Sequence, residues 1–578
     1  MESISIYDIL LIVEKRQLLQ EPKIVSEDEI PKGHGAIAAV EGTIIISGQE
    51  QTLIIGIDRY FPYRKPQFYL KAGVSQIALP HLSPEGFICY VQEEDLVIDY
   101  KNVEGIIAEA FYAVLAELEE SINGKNTRDF VAEFEVYWGY LKPTYTIFSL
   151  ISLGGKPRLL PAIDIENYVV VGENEREIKS YCTTEQVSKE IIDNFKFKKV
   201  LYLPLKNGTT LIPPTKHKFW TNSQIVDNLF QNVDPQFKSE LYSLINRAPK
   251  VGHTAVVDLP INDKTSSLFG ITFKQLRKTH KHPLISRSDK YEAYPASVAR
   301  YDRAFILPRG GAKLNFVDKS VLLIGCGALG SVIAEQVLKA GITHLSLVDN
   351  DILKVKNIYR HKLGANYLHE KKVLALKTEL ERNLYYSNIT AYPVSIESLL
   401  SKNSDFLTQY DLIISATANP TINFFLNEYL YKNINELSII YTWIDPYGIG
   451  GHVLLSNNKK KGCYNCLYSD PSLQEGRYNR GSFAKKGQNF SKRISGCGST
   501  FVPFGSFDTL QTTSLAVKLI LDVLQGKEPG NPLLSWKGDA QEFIQEGYKL
   551  SSRYFQNQDE LFSNRYDYYR SSCTFCNN

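Results

Sequence analysis

The chain has 578 residues, 65 of them Lys or Arg and 63 Asp or Glu, which leaves a net charge of +2. At about 150 residues per domain that length excludes a single ordinary core, and so balanced a charge excludes a surface built throughout for nucleic acid. With 43% hydrophobic residues and no run approaching the ~18 apolar residues of a membrane span, the chain reads as globular, with no nucleic-acid and no membrane partner. Met1-Glu-Ser-Ile-Ser-Ile lacks the basic and apolar stretches of a secretory signal. The expected location is cytoplasmic, where the eight cysteines serve as thiols or metal ligands and not as disulfides.

Residues 1–20 carry a helical pattern. From Ala36 to Leu70, runs such as Gly42-Thr-Ile-Ile-Ile-Ser and Leu53-Ile-Ile-Gly-Ile alternate with turn residues as strands do. Val103 to Leu118 returns to helical spacing. Residues 1–150 therefore read as an α+β domain. Residues 151–290 hold strand-like runs (Tyr168-Val-Val-Val-Gly, Lys199-Val-Leu-Tyr-Leu, Thr254-Ala-Val-Val-Asp-Leu) broken by Pro-rich loops such as Leu211-Ile-Pro-Pro-Thr. They offer no chemistry and read as a connecting domain. In residues 291–578 a strand (Val321-Leu-Leu-Ile), a glycine turn, a helix (Ala328 to Ala340), a strand (His344 to Val348) and a helix (Lys371 to Asn383) follow one another, with further strands at Leu412-Ile-Ile-Ser and Ile439-Ile-Tyr-Thr-Trp-Ile. This is the α/β alternation of a Rossmann-like, doubly wound parallel sheet.

Gly325-Cys-Gly327-Ala-Leu-Gly330 lies between that first strand and helix, where backbone N–H groups approach phosphate closely. Asp349, at the end of the next strand, is placed to accept from a ribose, as in NAD enzymes too. The glycine motif alone does not choose between NAD and ATP. The choice comes from Asp351, Asn357, Arg360 and Lys372, which bring an amide, a guanidinium and an ammonium toward the phosphate end, as holding a triphosphate requires.

Gly325–Gly330, Asp349, Asp351, Asn357-x-x-Arg360 and Lys372 resemble the adenylation domain of the ubiquitin-activating family, which includes the ThiF and MoeB type enzymes that adenylate sulfur carriers. The resemblance implies ATP as substrate, Asp349 on the ribose, and Asn357, Arg360 and Lys372 on the phosphates. Arg300 and Arg303 resemble the family's N-terminal arginine, which reaches the nucleotide of the other subunit, and this implies a homodimer. The family's magnesium-binding aspartate has no counterpart: Ser415 and Ala418 stand at the acidic positions. For Mg2+, Asp351 or Asp445 is the substitute, and Asp445, closing Tyr441-Thr-Trp-Ile-Asp, is the one expected.

Cys463-x-x-Cys466 and Cys573-x-x-Cys576 supply the four thiolates of a closed structural Zn2+ site. Cys497, between flanking glycines, follows six basic residues and no acid from Arg477 to Gly496, conditions that favour a reactive thiolate. Within the family resemblance it lies where activating enzymes keep the acyl-accepting thiol. Cys326 and Cys182 read as packing residues. Cys89 closes Pro80-His81-Leu-Ser83-Pro-Glu-Gly86-Phe-Ile-Cys89, which with Phe61-Pro62-Tyr63-Arg-Lys-Pro66 resembles the ubiquitin-conjugating enzymes. There Cys89 would be the catalytic thiol and His81 structural, while Ser83 replaces the asparagine that stabilises the oxyanion.

The order of domains resembles the activating–conjugating (E1–E2-like) fusion group of bacterial cyclic-oligonucleotide (CBASS) anti-phage operons. That resemblance implies ATP-dependent activation of a partner protein's C terminus, that of a cGAS-like nucleotidyltransferase, as an acyl-adenylate. A thioester on Cys497, transfer to Cys89 and an amide bond to an acceptor amine would follow. The competing expectations are a sulfur-transfer enzyme, an NAD-dependent oxidoreductase and a scaffolding pseudoenzyme.

Overall fold

The computed structural model describes all residues except 1–3, 72–78, 92–95, 144, 216–217, 248–252, 470–476, 494–499 and 578. The chain divides into two compact units, Met1–Ile178 with Phe195–Asp302, and Lys179–Asn194 with Arg303–Asn578.

The first unit opens on the helix Ile6–Lys15, started by a capping box in which Ser5 and Asp8 bond each other's backbone N–H. The helix buries Ile9 and Val13. It stops short of residue 20 because Gln17 turns left-handed (φ 51°), and Gln20–Ile24 becomes a strand, β1. An antiparallel meander follows in spatial order β1-β2-β3-β4-β5, with β2 Ala38–Ile46, β3 Gln49–Ile57, β4 Gln67–Leu70 and β5 Phe87–Ile88. Pairing of Phe68 with Ile88 sets the residue before Cys89 on β5, the edge strand of this sheet. The helix Val103–Ile122 lays Ile107, Phe111, Val114 and Leu118 on the same core.

The rest of this unit is built around a closed barrel, with short helices such as Phe134–Gly139 and Asn222–Asn228 packed on it. Its strands are β6 Thr146–Ser149, β7 Arg158–Ile165, β8 Tyr168–Val171, β9 Lys198–Pro204, β10 Thr254–Pro260, β11 Ser266–Gln275 and β12 Tyr291–Arg300, in the order β10-β11-β12-β6-β8-β7-β9 with β9 pairing back to β10. Ile147, Leu160, Val171, Val200, Val256 and Leu268 form one of its buried clusters. The three strand-like runs read from residues 151–290 are β8, β9 and β10. The barrel takes its first and last strands from either side of that segment.

The second unit is built on a seven-stranded sheet. Its strands are β13 Ser320–Ile324, β14 His344–Val348, β15 Asn388–Tyr392, β16 Leu412–Ser415, β17 Ser438–Ile444 and β18 Gly450–Asn457, then, after the short pair β19 Lys492–Arg493 and β20 Thr500–Phe501, β21 Leu533–Lys537. The order is β15-β14-β13-β16-β17-β18-β21. The first five strands are parallel, and β18 pairs antiparallel with both β17 and β21. From β13 the chain moves outward to β14 and β15, then crosses back to β16 on β13's other side. This reversal opens a crevice at the carboxyl ends of β13 and β16, the place where doubly wound sheets bind ligands.

Candidate functional site

The glycine turn leaves β13 at that crevice. Gly325 has a positive φ (89°), and a Cβ there would lie 2.9 Å from the Ala416 carbonyl and the Thr417 nitrogen. A Cβ on Gly330 would overlap the Gly325 carbonyl. Gly327, by contrast, caps the helix Ala328–Lys339 with nothing within 4 Å of a notional Cβ. Gly325 and Gly330 permit close packing of turn, helix and neighbouring strand, whereas Gly327 leaves open the space before a helix N-terminus, where backbone N–H groups are unsatisfied.

Asp349 fixes this turn. Its Oδ2 accepts from the Cys326 N–H at 2.7 Å and its Oδ1 from the Asp351 N–H at 2.7 Å, and each oxygen keeps acceptor capacity. His361 braces the other side. Its Nδ1 accepts from the Leu363 N–H at 3.0 Å, so the proton sits on Nε2, which donates to the Cys326 carbonyl at 2.8 Å. Burial lowers its pKa and keeps the ring neutral.

A cavity of about 410 Å³ opens here, lined by Gly325, Gly327, Asp349, Asp351 and Lys372 among others. Lys372 is 8% exposed and lies 2.6 Å from Asp351 Oδ2. Desolvation alone would raise the Asp351 carboxyl; the hydrogen bond from Lys372, the Ile352 N–H and the charges of Lys372 and Lys354 hold it below its ordinary value. Asn357 and Arg360 stand outside this lining. Asn357 Oδ1 accepts from the Lys354 N–H at 3.0 Å, and the Arg360 guanidinium lies 4.3 Å from the centre of the Phe504 ring. Arg303 lies 4.8 Å from the Tyr386 ring. Arg300 is held by both carboxylate oxygens of Asp302, at 2.9 and 3.2 Å.

The end of β16 carries no acid. Ser415 Oγ donates to Asn423 Oδ1 at 2.6 Å, and Ala418 is left-handed (φ 52°). Asp445 does not replace the missing carboxylate, contrary to the expectation from sequence. It is buried away from the cavity, with Oδ2 facing His452 Nε2 (3.0 Å) and accepting from Ser482 Oγ (3.0 Å) and the Phe483 N–H (2.6 Å). Buried and absent from the cavity lining, it packs this corner of the fold and does not face the ligand crevice. Sequence reasoning also missed Ser395, Glu397, Thr417 and Asn419, all of which line the cavity. Asn419 had a readable signal, an Asn directly before Pro420, and its Oδ1 caps the helix Pro420–Asn433.

Cys463, Cys466, Cys573 and Cys576 gather with all four sulfurs within 4.8 Å of one another. The sulfur separations are 3.9 Å (463–466), 3.6 Å (463–573) and 3.3 Å (466–576), against the ~3.8 Å edge of a tetrahedron with Zn–S bonds of about 2.3 Å. Donor type, number and spacing fit zinc. Cys326 and Cys182 are fully buried, as their reading as packing residues requires. Cys497 falls outside the described residues. The strands β19 and β20 on either side of it pair, Lys492 opposite Phe501.

In the first unit, Cys89 is exposed and its N–H donates to the His81 carbonyl at 2.9 Å. Desolvation raises its thiol pKa, Lys65 opposes the rise, and Glu133 and Glu117 add to it. Ser83 Oγ accepts from the Phe87 and Glu85 N–H groups at 3.1 and 3.3 Å, so this hydroxyl organises the turn before Cys89. His81 sits among Glu133 (3.1 Å), Asp129 (3.2 Å) and Glu117 (3.5 Å). The hydrogen bond with Glu133, against desolvation and with the other acids, raises its pKa to about 9. It is an imidazolium strut, not a base.

Residues 301–532 match the ThiF family, and residues 17–147 match the prokaryotic E2 family B. The chain is an E1/E2-like fusion enzyme. The fusion enzyme is 25% identical over 524 residues to the ATP-dependent ubiquitin transferase-like protein Cap2 of Escherichia coli (strain TW11681), covering 83% of this chain and 85% of that one. It is 23% identical over 465 residues to the protein of the same name from Pseudomonas aeruginosa (strain BWHPSA011 / Pa011), covering 78% and 80%. Among solved structures it is similar to Escherichia coli MccB crystallised with MccA-N7isoASN, at 16% identity and a TM-score of 0.32 over 48% of this chain and 70% of that one. In the fusion enzyme the crevice beside the glycine turn belongs to the ThiF segment and Cys89 to the E2 segment. Among the described residues no helix is long and apolar enough to cross a membrane.

Proposed function

We propose that the enzyme uses ATP to activate the C-terminal carboxylate of a partner protein and joins it, through two thioesters, to an amine. The observation that carries this reading is the presence on one chain of a glycine-turn cavity with Asp349 and Lys372 on its wall and an exposed cysteine closing an E2-type meander. Helix N-terminal N–H groups beside Gly327 receive phosphate oxygens, Asp349 accepts from the ribose, and Lys372 balances phosphate charge. The partner's carboxylate attacks the α-phosphorus, forming acyl-adenylate and releasing pyrophosphate. The thiolate of Cys497 displaces AMP, the Cys89 thiolate then displaces Cys497, and an amine displaces Cys89 to leave an amide and a free thiol.

Asp351, on the cavity wall, would hold Mg2+, which when bound would supply further neutralisation of the phosphates. The four clustered cysteines hold Zn2+ and fasten the C terminus to the sheet. By the relatives' name the acyl acceptor chemistry is ubiquitin-transferase-like, and the proposed donor is a cGAS-like nucleotidyltransferase. A sulfur-transfer reading would leave Cys89 without work.

The test is intact-mass measurement after mixing the enzyme with ATP and a candidate donor. Wild type should gain a thiol-reducible adduct, and Cys497→Ala should gain none. Cys89→Ala should hold its adduct on Cys497 and transfer nothing to amine. Product from a Cys89→Ala/Cys497→Ala double variant would refute the scheme.

A further inference from the structure

The cavity holds one carboxylate that the proposed chemistry leaves unused. Glu397 lines it from the first turn of the helix Ile396–Lys402, is exposed, and has no hydrogen-bond or ion-pair partner among the described residues. Asp349, Asp351 and Lys372 are all engaged. Its place in the sheet assigns it a part of the ligand.

Three adjacent parallel strands deliver three stations to one rim. After β13 comes the glycine turn beside the helix N-terminus; after β14 comes Asp349; after β15 come Val394, Ser395, Ile396 and Glu397. The Asp349 N–H bonds the Tyr392 carbonyl at 3.3 Å, which joins the second station to the third. Strands lie about 4.8 Å apart, so the third station is roughly 10 Å from the first, the reach of a nucleotide from α-phosphate to base. If phosphate occupies the first station and ribose the second, the base occupies the third. The lining fits a flat heterocycle: Val348 at the end of β14 and Val394 and Ile396 after β15 supply apolar surface, and Glu397 supplies a polar group.

We propose that the Glu397 carboxylate accepts a hydrogen bond from the exocyclic 6-amino group of adenine and so selects ATP by its base. An ionised carboxylate only accepts, and at position 6 adenine presents an amino donor where guanine in the same pose presents an oxo acceptor. This inference rests on the reading of the cavity as an ATP site.

The test is calorimetric titration of the full-length enzyme, with Mg2+, using ATP, GTP and purine riboside 5′-triphosphate, which has hydrogen in place of the amino group. Wild type should bind ATP roughly tenfold more tightly than the analogue lacking the amine, the worth of about one hydrogen bond, and more tightly than GTP. In Glu397→Ala the ratio of ATP to the deaminated analogue should fall to about one through weaker ATP binding. Glu397→Gln, which keeps an acceptor oxygen, should retain part of the preference. A melting temperature matching wild type would exclude a folding effect.

A wild-type ratio near one, an unchanged ratio in Glu397→Ala, or tighter GTP binding would each overturn the inference while leaving the ATP cavity standing. A changed Mg2+ requirement with the ratio intact would make Glu397 a metal ligand and overturn it as well. Failure of every triphosphate to bind wild type would overturn the ATP reading itself, and the inference with it.

Discussion

At the scale of single side chains, Asp445, expected from the sequence at the metal, and His81, expected to be structural, both act as fasteners in the fold. Asp445 ties His452, Ser482 and Phe483 together, so Asp445→Asn should leave ATP affinity within about twofold of wild type. It should nonetheless destabilise the protein by about 2–4 kcal/mol, the usual cost of breaking a buried charged network. Calorimetric unfolding and ATP titration of the same variant separate these effects. An unmoved melting temperature with lost Mg2+-dependent ATP binding would return Asp445 to the metal.

His81 predicts a pH effect. Its folded pKa of about 9 lies above the unfolded value of about 6.5. Its contribution is therefore complete below about pH 6.5, shrinks as pH rises, and is lost once pH passes 9. Between pH 6.5 and 9.5 wild type should lose more stability than His81→Asn, as read from paired thermal melts.

At the scale of elements, the glycine turn separates folding from binding within six residues. Gly330→Ala would drive a methyl group into the Gly325 carbonyl, and the second unit should lose several kcal/mol or fail to fold. Gly327→Ala meets nothing within 4 Å. It should melt like wild type while losing ATP affinity tenfold or more, because the methyl occupies the approach to the helix N-terminus. Far-UV circular dichroism and nucleotide titration check both.

The turn was legible in the sequence because local spacing writes it: strand, Gly-x-Gly-x-x-Gly, helix, carboxylate. β13, β14 and their helices came out within a residue or two for the same reason. Glu397 was not legible, since it reaches the cavity only through the parallel pairing of β14 with β15, and a surface-type acid in a helix's first turn announces nothing. The barrel was hidden likewise. Its closure depends on β9 meeting β10 and β12 meeting β6, long-range pairings that leave no periodic trace.

At the scale of the whole molecule, the sequence placed an E2-type segment and a ThiF-type segment on one chain, and the paired C-x-x-C spacing anticipated that four distant thiols would meet. Zinc should be present at one equivalent per chain by atomic emission, and Cys573→Ser/Cys576→Ser should lose it. That variant should melt at a lower temperature, by the usual contribution of a structural site, while the thermal transition of the first unit stays put.

The cysteine cluster also has a mechanical meaning for a broken chain. The segment from Leu467 to Ser572 leaves the cluster at Cys466 and returns to it at Cys573, and within it β21 lies against β18. A single peptide-bond break between Tyr468 and Ser506 would therefore cut the covalent thread without releasing the C-terminal fragment, which stays attached through β21, the helix Ser506–Leu524 packed on the sheet and the cysteine cluster. The nicked enzyme should run as two bands under denaturing conditions and as one particle in native buffer.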